Sequence, residues 1–210
     1  MITRKLPEKI EKKLKENFNV ILNKTDKKLS YTELKKKVSE VDILIPCVSD
    51  TIDASIIKSA KKLKLIANFG NGVDNLDLVT AKEENVIVTN TPDVLTEDTA
   101  DLVLTLVLMI SRKVVEAQKK ISGGRWSGWG PSETMGERIR GKNFGIIGMG
   151  RIGKAVAKRL SILGVKIFYH NRNRLKNNEE KVLKAKYYEN LDLMITHCDI
   201  ISIHCPYTPE

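Results

Sequence analysis

Three glycines at a fixed spacing constrain the fold of this chain more than any other feature of its sequence. Gly148, Gly150 and Gly153 form the pattern G-x-G-x-x-G. They stand between an apolar run at residues 143–148 and an amphipathic stretch at residues 152–163, which predicts a strand, a tight turn and a helix. Gly148 is predicted to permit the turn, Gly150 to let a pyrophosphate approach the backbone, and Gly153 to let the helix pack closely on the strand.

The start of the predicted helix is a candidate anion site. A pyrophosphate there would lie on the backbone N–H groups of Arg151 and Ile152, at the positive end of the helix dipole. The turn residue Met149 belongs to the same candidate cofactor site. The alternative is that the glycines only supply a flexible turn, and the strand–turn–helix context argues against it.

The end of the following strand bears on the choice of cofactor. An acidic residue usually stands there, about 20 residues after the glycines, and binds the ribose hydroxyls of NAD. Residues 169–174 read Tyr-His-Asn-Arg-Asn-Arg and contain no acid. Because a guanidinium matches phosphate geometry, Asn171 and Arg172, with Arg174 as a further candidate, predict a 2′-phosphate and a preference for NADP over NAD. The alternative is that these arginines are solvated loop residues.

Apolar runs alternate with helical patterns along the rest of the chain, which predicts an α/β fold with parallel sheets wrapped by helices. A turn at residues 90–93 precedes a long amphipathic segment at residues 96–119, so two domains are expected, residues 1–95 and 96–210. The predicted strands are residues 20–22, 41–46, 63–69, 86–88, 143–148, 165–170 and 199–204, the predicted helices are 5–16, 31–38, 52–60, 76–84, 96–119, 152–163 and 191–195, and residues 121–140 form a structured loop.

Composition excludes several classes of protein. The formal charge is +10, but the lysines are interleaved with acids and no aromatic-rich basic stripe is present, so a solvated surface is expected and not a nucleic-acid site. No stretch approaches the roughly 20 apolar residues that span a bilayer, and no apolar signal region follows Met1, so neither a membrane span nor secretion is expected. Free thiols are expected at Cys47, Cys198 and Cys205, and a cytoplasmic location with them.

Two His-Cys pairs contain the residue types that bind zinc, so a zinc site is an alternative function for them. The pairs are residues 197–198 and 204–205. Because a predicted extended strand lies between them, they are too far apart for an easy tetrahedral site. No metal is predicted.

Three segments together resemble a known family. Residues 68–77, 91–101 and 145–153 are similar to successive signatures of the D-isomer-specific 2-hydroxyacid dehydrogenases, and the resemblance covers about residues 46–210. Residues 91–96 with Trp126 and Trp129 resemble the glyoxylate/hydroxypyruvate reductase subgroup. The resemblance implies a flavodoxin-like substrate lobe followed by a Rossmann dinucleotide-binding domain, here incomplete.

The resemblance also implies roles for individual residues. The loop at Asn71 and Gly72 presents backbone N–H groups to the substrate carboxylate, although it is also explained as a turn in which Asp74 or Asp77 caps the next helix. Thr99 matches a position near the nicotinamide, and its alternative is a helix threonine bonded back to the preceding turn. Cys205 and Pro206 match a strand end that lines the adenosine side of the cofactor.

The family moves a hydride between NAD(P)H and the C2 carbon of a small 2-keto or 2-hydroxy acid, using an arginine, a glutamate and a histidine. No residue of this sequence matches those three, which are expected beyond Glu210. We therefore expect no catalytic residue in this chain and a C-terminally truncated copy, inactive alone; the alternative is a non-catalytic nucleotide-binding module. A homodimer is implied through residues 96–119 and 126–129, with Trp129 reaching the neighbour's substrate site or, alternatively, packing only its own loop.

Overall fold

The computed structural model describes residues 1–206. The chain divides into two compact units, Met1–Val94 and Leu95–Glu210. Each unit has its own parallel sheet and its own cluster of buried apolar side chains. The predicted α/β class with parallel sheets is confirmed.

The first unit is a three-stranded parallel sheet with four helices. Ile43 pairs with Leu65, and Leu65 pairs with Ile87, so the strand order is β1-β2-β3. Its core includes Leu44, Ile56 and Ile66, all fully buried. The elements are α1 Glu8–Asn17, α2 Tyr31–Val38, β1 Ile43–Leu44, α3 Ala54–Ser59, β2 Leu65–Ala67, α4 Leu78–Glu83 and β3 Ile87–Thr89.

Polar caps fix where the helices of this unit begin. Ser30 and Glu33 form a capping box before α2, which places its first residue where the sequence pattern puts it. Asp53 and Asp77 each accept a backbone N–H three residues on, Asp77 from Thr80 at 2.9 Å. Asp77, and not Asp74, is therefore the cap of α4.

The predicted strand at residues 20–22 is wrong. The chain there is irregular, and the position beside β1 is taken by Ile2, which bridges to Ile45 in parallel. Ile21 contributes only a carbonyl, which accepts the N–H of Ile2 at 3.0 Å. Apolar composition alone did not show which of two nearby segments pairs with the sheet.

In the second unit, residues 95–206 form a four-stranded parallel sheet with five helices. Gly145 on β4 pairs with Phe168 on β5 and with Ile201 on β7, which gives the order β6-β5-β4-β7. Phe144 and Ile146 are fully buried on the central strand. The elements are α5 Thr96–Ser111, α6 Val114–Ser122, β4 Asn143–Ile147, α7 Arg151–Ile162, β5 Lys166–His170, α8 Asn177–Leu183, β6 Ala185–Tyr187, α9 Leu191–His197 and β7 Ile200–Ile203.

Two predictions for this unit need correction. The single helix expected at residues 96–119 is broken, because Lys113 adopts a left-handed conformation with φ 50° and separates α5 from α6. No sequence pattern predicted α8 or β6. Both are short and polar, and Leu183 is the one buried residue of α8, so neither gives a periodic apolar signal.

No helix among residues 1–206 combines the length and the apolar character needed to cross a membrane.

Candidate functional site

The turn between β4 and α7 requires two of its three glycines for mechanical reasons. Gly148 has φ 96°, and a Cβ there would lie 2.6 Å from the backbone nitrogen of Cys205. A Cβ on Gly153 would lie 2.5 Å from the carbonyl oxygen of Gly148. Both contacts are with backbone, which cannot rotate away. Gly148 therefore makes the turn, and Gly153 lets the helix approach the strand.

Gly150 differs from the other two because its own chain does not require a glycine there. Its backbone is extended, with φ −77° and ψ −157°, and a Cβ would have no described atom within 4 Å. The residue directly precedes α7 as its N-cap. Open space over a glycine at the start of a twelve-residue helix fits a phosphate group, because the first-turn amides of a helix have no carbonyl within the helix to bond to. The geometry therefore fits the pyrophosphate of a dinucleotide.

The glycine turn is joined to the end of β5 by two hydrogen bonds. The N–H of Gly148 donates to the carbonyl of His170 at 3.0 Å. The N–H of Met149 donates to Asn171 Oδ1 at 2.8 Å, and the side chain of Met149 is buried. Met149 and Asn171, both predicted to bind cofactor, thus hold each other. They place the loop after β5 beside the glycine turn.

The structure separates the two arginines that the sequence analysis grouped as phosphate candidates. Arg172 is exposed and forms no ion pair with any of residues 1–206. Arg174 makes a bidentate ion pair with Glu180, with distances of 2.9 and 2.8 Å. Its guanidinium also lies over the ring of Tyr187, 5.4 Å from the centroid. Arg172 is the guanidinium that remains available.

The strand end matched to the adenosine side lies against the same turn. The N–H of His204 donates to the carbonyl of Ile147 at 2.7 Å, which brings the exposed Cys205 and Pro206 beside Gly148. Residues 207–209, which complete the resembling segment, lie outside the described residues.

Thr99 lies half-buried in the first turns of α5. The alternative for it was a side-chain bond back to the preceding turn. Thr105 makes such a bond, to the carbonyl of Asp101 at 2.8 Å, whereas the hydroxyl of Thr99 makes none within residues 1–206. Its side-chain oxygen is therefore not committed to the helix.

The candidate substrate loop in the first unit exposes consecutive backbone donors. The N–H groups of Asn71, Gly72 and Val73 donate to no atom of residues 1–206. Two carbonyl groups of the same loop are hydrogen-bonded. The carbonyl of Asn71 accepts a hydrogen bond from Asn90 Nδ2 at 2.8 Å, and the carbonyl of Gly72 accepts one from Asn68 Nδ2 at 2.9 Å. Successive unpaired amides form a concavity that binds anions.

An amide pair beneath this loop was missed by the sequence analysis. Asn68 is buried, with 1% of its surface exposed, and exchanges hydrogen bonds of 3.1 and 3.2 Å with Asn75. Asn75 also donates to the carbonyl of Cys47 at 3.3 Å. A polar residue directly after the apolar run of β2 was the available signal, because buried amides need partners.

The two tryptophans of the loop at residues 126–129 are exposed. Trp126 is 59% exposed and Trp129 is 86% exposed. Most of the Trp129 side chain therefore makes no contact with the described chain.

The three histidines each have a structural partner. His170 Nδ1 lies 3.0 Å from the carbonyl of Tyr188, and His197 Nδ1 lies 2.9 Å from that of Leu193. His204 Nε2 lies 2.8 Å from Ser202 Oγ, and burial lowers the pKa of His204.

The cysteines at positions 47, 198 and 205 are free, as predicted, and burial raises the pKa of the Cys198 thiol. Within residues 1–206, no three or more His, Cys, Asp or Glu side chains are grouped to hold a metal ion.

Comparison with known proteins places the chain among dehydrogenases. Residues 104–210 match the model of the D-isomer specific 2-hydroxyacid dehydrogenase NAD binding domain. The glyoxylate reductase of Thermococcus litoralis is 39% identical, over 100% of this chain and 64% of its own length. The glyoxylate reductase of Korarchaeum cryptofilum is 37% identical, over 100% of this chain and 63% of its own length. The chain thus spans less than two thirds of these relatives.

A solved structure agrees in fold. The putative D-isomer specific 2-hydroxyacid dehydrogenase from a Polaromonas species superposes with a TM-score of 0.91 at 33% identity, covering 99% of this chain and 65% of that one. The predicted fold class and the NAD(P) cofactor are confirmed by these matches. The chain belongs to the D-isomer specific 2-hydroxyacid dehydrogenases, and its second half belongs to their NAD-binding domain.

Proposed function

We propose that the parent protein, meaning this protein at the length of the relatives it matches, reduces a small 2-keto acid, glyoxylate or hydroxypyruvate, with a nicotinamide cofactor. The observation that carries the proposal is the run of three open backbone N–H groups at residues 71–73. Main-chain donors suit a small carboxylate, because a glycine among them adds no side chain of its own. The relatives named glyoxylate reductases support this substrate class.

In this proposal, the two predicted domains bind the substrate and the cofactor respectively. Residues 1–95 form the substrate domain, with Asn71 and Gly72 at the carboxylate. Residues 96–210 form the cofactor domain, with residues 148–153 at the pyrophosphate, and the bound nicotinamide supplies the hydride. The remaining proposed cofactor contacts are Thr99, Asn171, Arg172, Cys205 and Pro206.

The test of the substrate class is an absorbance assay at the reduced nicotinamide band. The parent protein at its relatives' length is mixed with reduced cofactor and a panel of 2-keto acids. Glyoxylate and hydroxypyruvate should be reduced faster than bulkier keto acids. Absence of turnover on every member of the panel contradicts the proposal.

We propose that the cofactor is NADP in preference to NAD, through Arg172. The support is its exposed guanidinium, which has no ion-pair partner among residues 1–206 and lies two residues beyond the end of β5, a strand end that lacks an acid. Arg172→Ala should weaken NADP binding by about 1.5–3 kcal/mol more than NAD binding, the contribution of a charge-assisted hydrogen bond. Equal losses for the two cofactors reject this choice.

The 210-residue chain itself is proposed to bind cofactor without catalysing reduction. The arginine, glutamate and histidine of the family's acid–base chemistry have no match among its residues. Losing a proton donor costs a factor of about 10² to 10⁴ in rate. Protein-dependent oxidation of reduced cofactor with glyoxylate contradicts the proposal and implicates His204.

We propose a cytoplasmic homodimer formed through α5 and the tryptophan loop. Leu102, Leu106 and Ile110 recur every fourth residue, so they share one helix face, and they are 57%, 48% and 76% exposed. An exposed apolar helix face of this kind is typical of an interface with a second copy, and Trp129 is a further exposed apolar side chain. Sedimentation of the parent protein should show a dimer, and Ile110→Lys should shift it to monomer. A wild-type monomer contradicts the proposal.

A further inference from the structure

The loop that follows β5 is held by a polar network centred on Glu180 of α8. Arg174 donates from Nε to Glu180 Oε1 at 2.9 Å and from Nη2 to Oε2 at 2.8 Å. Tyr169 donates its hydroxyl to Oε1 at 2.6 Å. Glu180 therefore accepts three hydrogen bonds, two of them from one guanidinium, which is the strongest geometry for such a pair.

The partners of Glu180 are themselves fixed. Tyr169 is fully buried, and its hydroxyl accepts the N–H of Leu175 at 3.0 Å, so the network includes the loop backbone. The guanidinium of Arg174 lies over the ring of Tyr187, whose hydroxyl donates to the carbonyl of Asn171 at 3.3 Å. Each end of the loop is thus tied to the same cluster of side chains.

Both sides of the Glu180–Tyr169 contact keep their protonation state at neutral pH. The hydrogen bonds from Arg174 and then Tyr169 lower the pKa of Glu180 to about 2. Burial, followed by the bond to Glu180, raises the pKa of Tyr169 to about 12. The carboxylate that neutralises Arg174 is therefore present wherever the protein works.

Arg172 stands in contrast two residues earlier. It is exposed and has no ion-pair partner within the described chain. Glu180 occupies the Nε and Nη2 edge of the Arg174 guanidinium, so a phosphate that approached the remaining Nη1 side would meet a cation already paired with a carboxylate. One guanidinium of this loop carries an unpaired charge, and the charge of the other is neutralised.

We propose that Glu180 is a specificity-determining positioning residue: it withholds Arg174 from the 2′-phosphate of the cofactor, so that Arg172 alone supplies the cationic contact. The proposal rests on the nucleotide-binding function proposed above. It narrows the sequence-based expectation that both arginines pair with the phosphate. It also predicts that the preference for NADP is weaker than two arginines would give.

The test uses the 210-residue chain and two probes, adenosine 2′,5′-bisphosphate and adenosine 5′-monophosphate, measured by titration calorimetry. The readout is the affinity for the 2′,5′-bisphosphate divided by the affinity for the 5′-monophosphate. A merely structural role would leave this ratio unchanged, because both probes would bind more weakly to the same extent. Glu180→Gln should raise the ratio about tenfold, the lower end of what one charge-assisted hydrogen bond contributes. An unchanged ratio overturns the proposal.

The double variant R174Q/E180Q tests directly whether the side chain of Arg174 binds the 2′-phosphate. It removes both charges of the pair and leaves two amides that bond to each other, so the ratio should stay within about twofold of wild type. A tenfold fall shows that Arg174 itself binds the phosphate and overturns the proposal. If Glu180→Gln fails to fold by circular dichroism, this double variant decides alone.

The matched control is Glu84→Gln in the first unit, which also removes one negative charge and one surface ion pair, that with Lys61 at 3.3 Å. Its ratio should equal that of wild type; an equal rise overturns the proposal in favour of a net-charge effect. Wild-type chain that binds neither probe contradicts the nucleotide-binding function itself. Binding of both probes with unaffected ratios contradicts only the role of Glu180.

Discussion

Replacing Gly150 by alanine should separate cofactor binding from stability. A Cβ at Gly150 meets no described atom within 4 Å, and its φ of −77° is one that alanine adopts without strain. Replacing Gly153 is the contrasting change on the same turn. A Cβ there lies 2.5 Å from the carbonyl oxygen of Gly148. The two variants add the same methyl group, one into open space and one into backbone.

The expected magnitudes follow from these contacts. Gly150→Ala gains stability from a less flexible unfolded chain and loses some at the N-cap, so the free energy of unfolding should change by less than about 0.5 kcal/mol. Its methyl group occupies the space proposed for the pyrophosphate, and the loss of one charge-assisted backbone hydrogen bond weakens cofactor at least about tenfold. Gly153→Ala forces the helix off the strand, which costs about 1–3 kcal/mol.

Urea unfolding followed by circular dichroism measures the first quantity, and quenching of protein fluorescence by NADP measures the second. A Gly150→Ala chain that binds cofactor as tightly as wild type refutes the placement of the pyrophosphate over this glycine. A Gly150→Ala chain as unstable as Gly153→Ala refutes the reading of the space above it as open.

Asn68→Ala should lower the free energy of unfolding by about 1–3 kcal/mol in urea, because it breaks the two hydrogen bonds that the buried Asn68 exchanges with the half-buried Asn75, whereas Asn17→Ala on the exposed end of α1 should change it by less than about 0.5 kcal/mol. Glu180 has an ordinary pKa of 4.5 and a folded pKa of about 2, so its contribution to stability is complete above pH 4.5 and is lost as the pH falls toward 2; Glu180→Gln should remove that part of the acid dependence, and identical pH profiles contradict it. Arg159→Ala breaks ion pairs of 2.8 and 2.6 Å to two carboxylates on α5, and its cost of about 1 kcal/mol should shrink in high salt; a salt-independent cost points to lost packing instead.

Local sequence patterns predicted the elements that lie closest to the candidate cofactor site. The apolar run before the glycines predicted β4, the amphipathic pattern after them predicted α7, and the spacing of the glycines predicted the turn between. The helical pattern at residues 31–38 likewise predicted the bounds of α2. These features depend on neighbours within a few residues, where backbone conformation and hydrogen bonding are decided by side-chain type.

Features that depend on distant residues could not be predicted from local sequence patterns. The left-handed residue Lys113 interrupts an otherwise continuous amphipathic pattern, and α8 and β6 carry too few buried residues to show a period. The segment at residues 20–22 has strand composition, yet Ile2 takes the place beside β1. In each case several arrangements satisfy the local pattern, and packing against distant residues selects one.

The sequence by itself determined the strand–turn–helix that fits a dinucleotide and the absence of an acid after β5. Only the tertiary structure decided which of the two arginines is available, because the partner of Arg174 lies six residues away on a helix that no pattern predicted. It likewise decided that Asn68 and Asn75 support the loop at Gly72. Residue types and spacing fix what a segment is able to do, whereas the pairing of buried polar groups depends on which side chains the folded chain brings together.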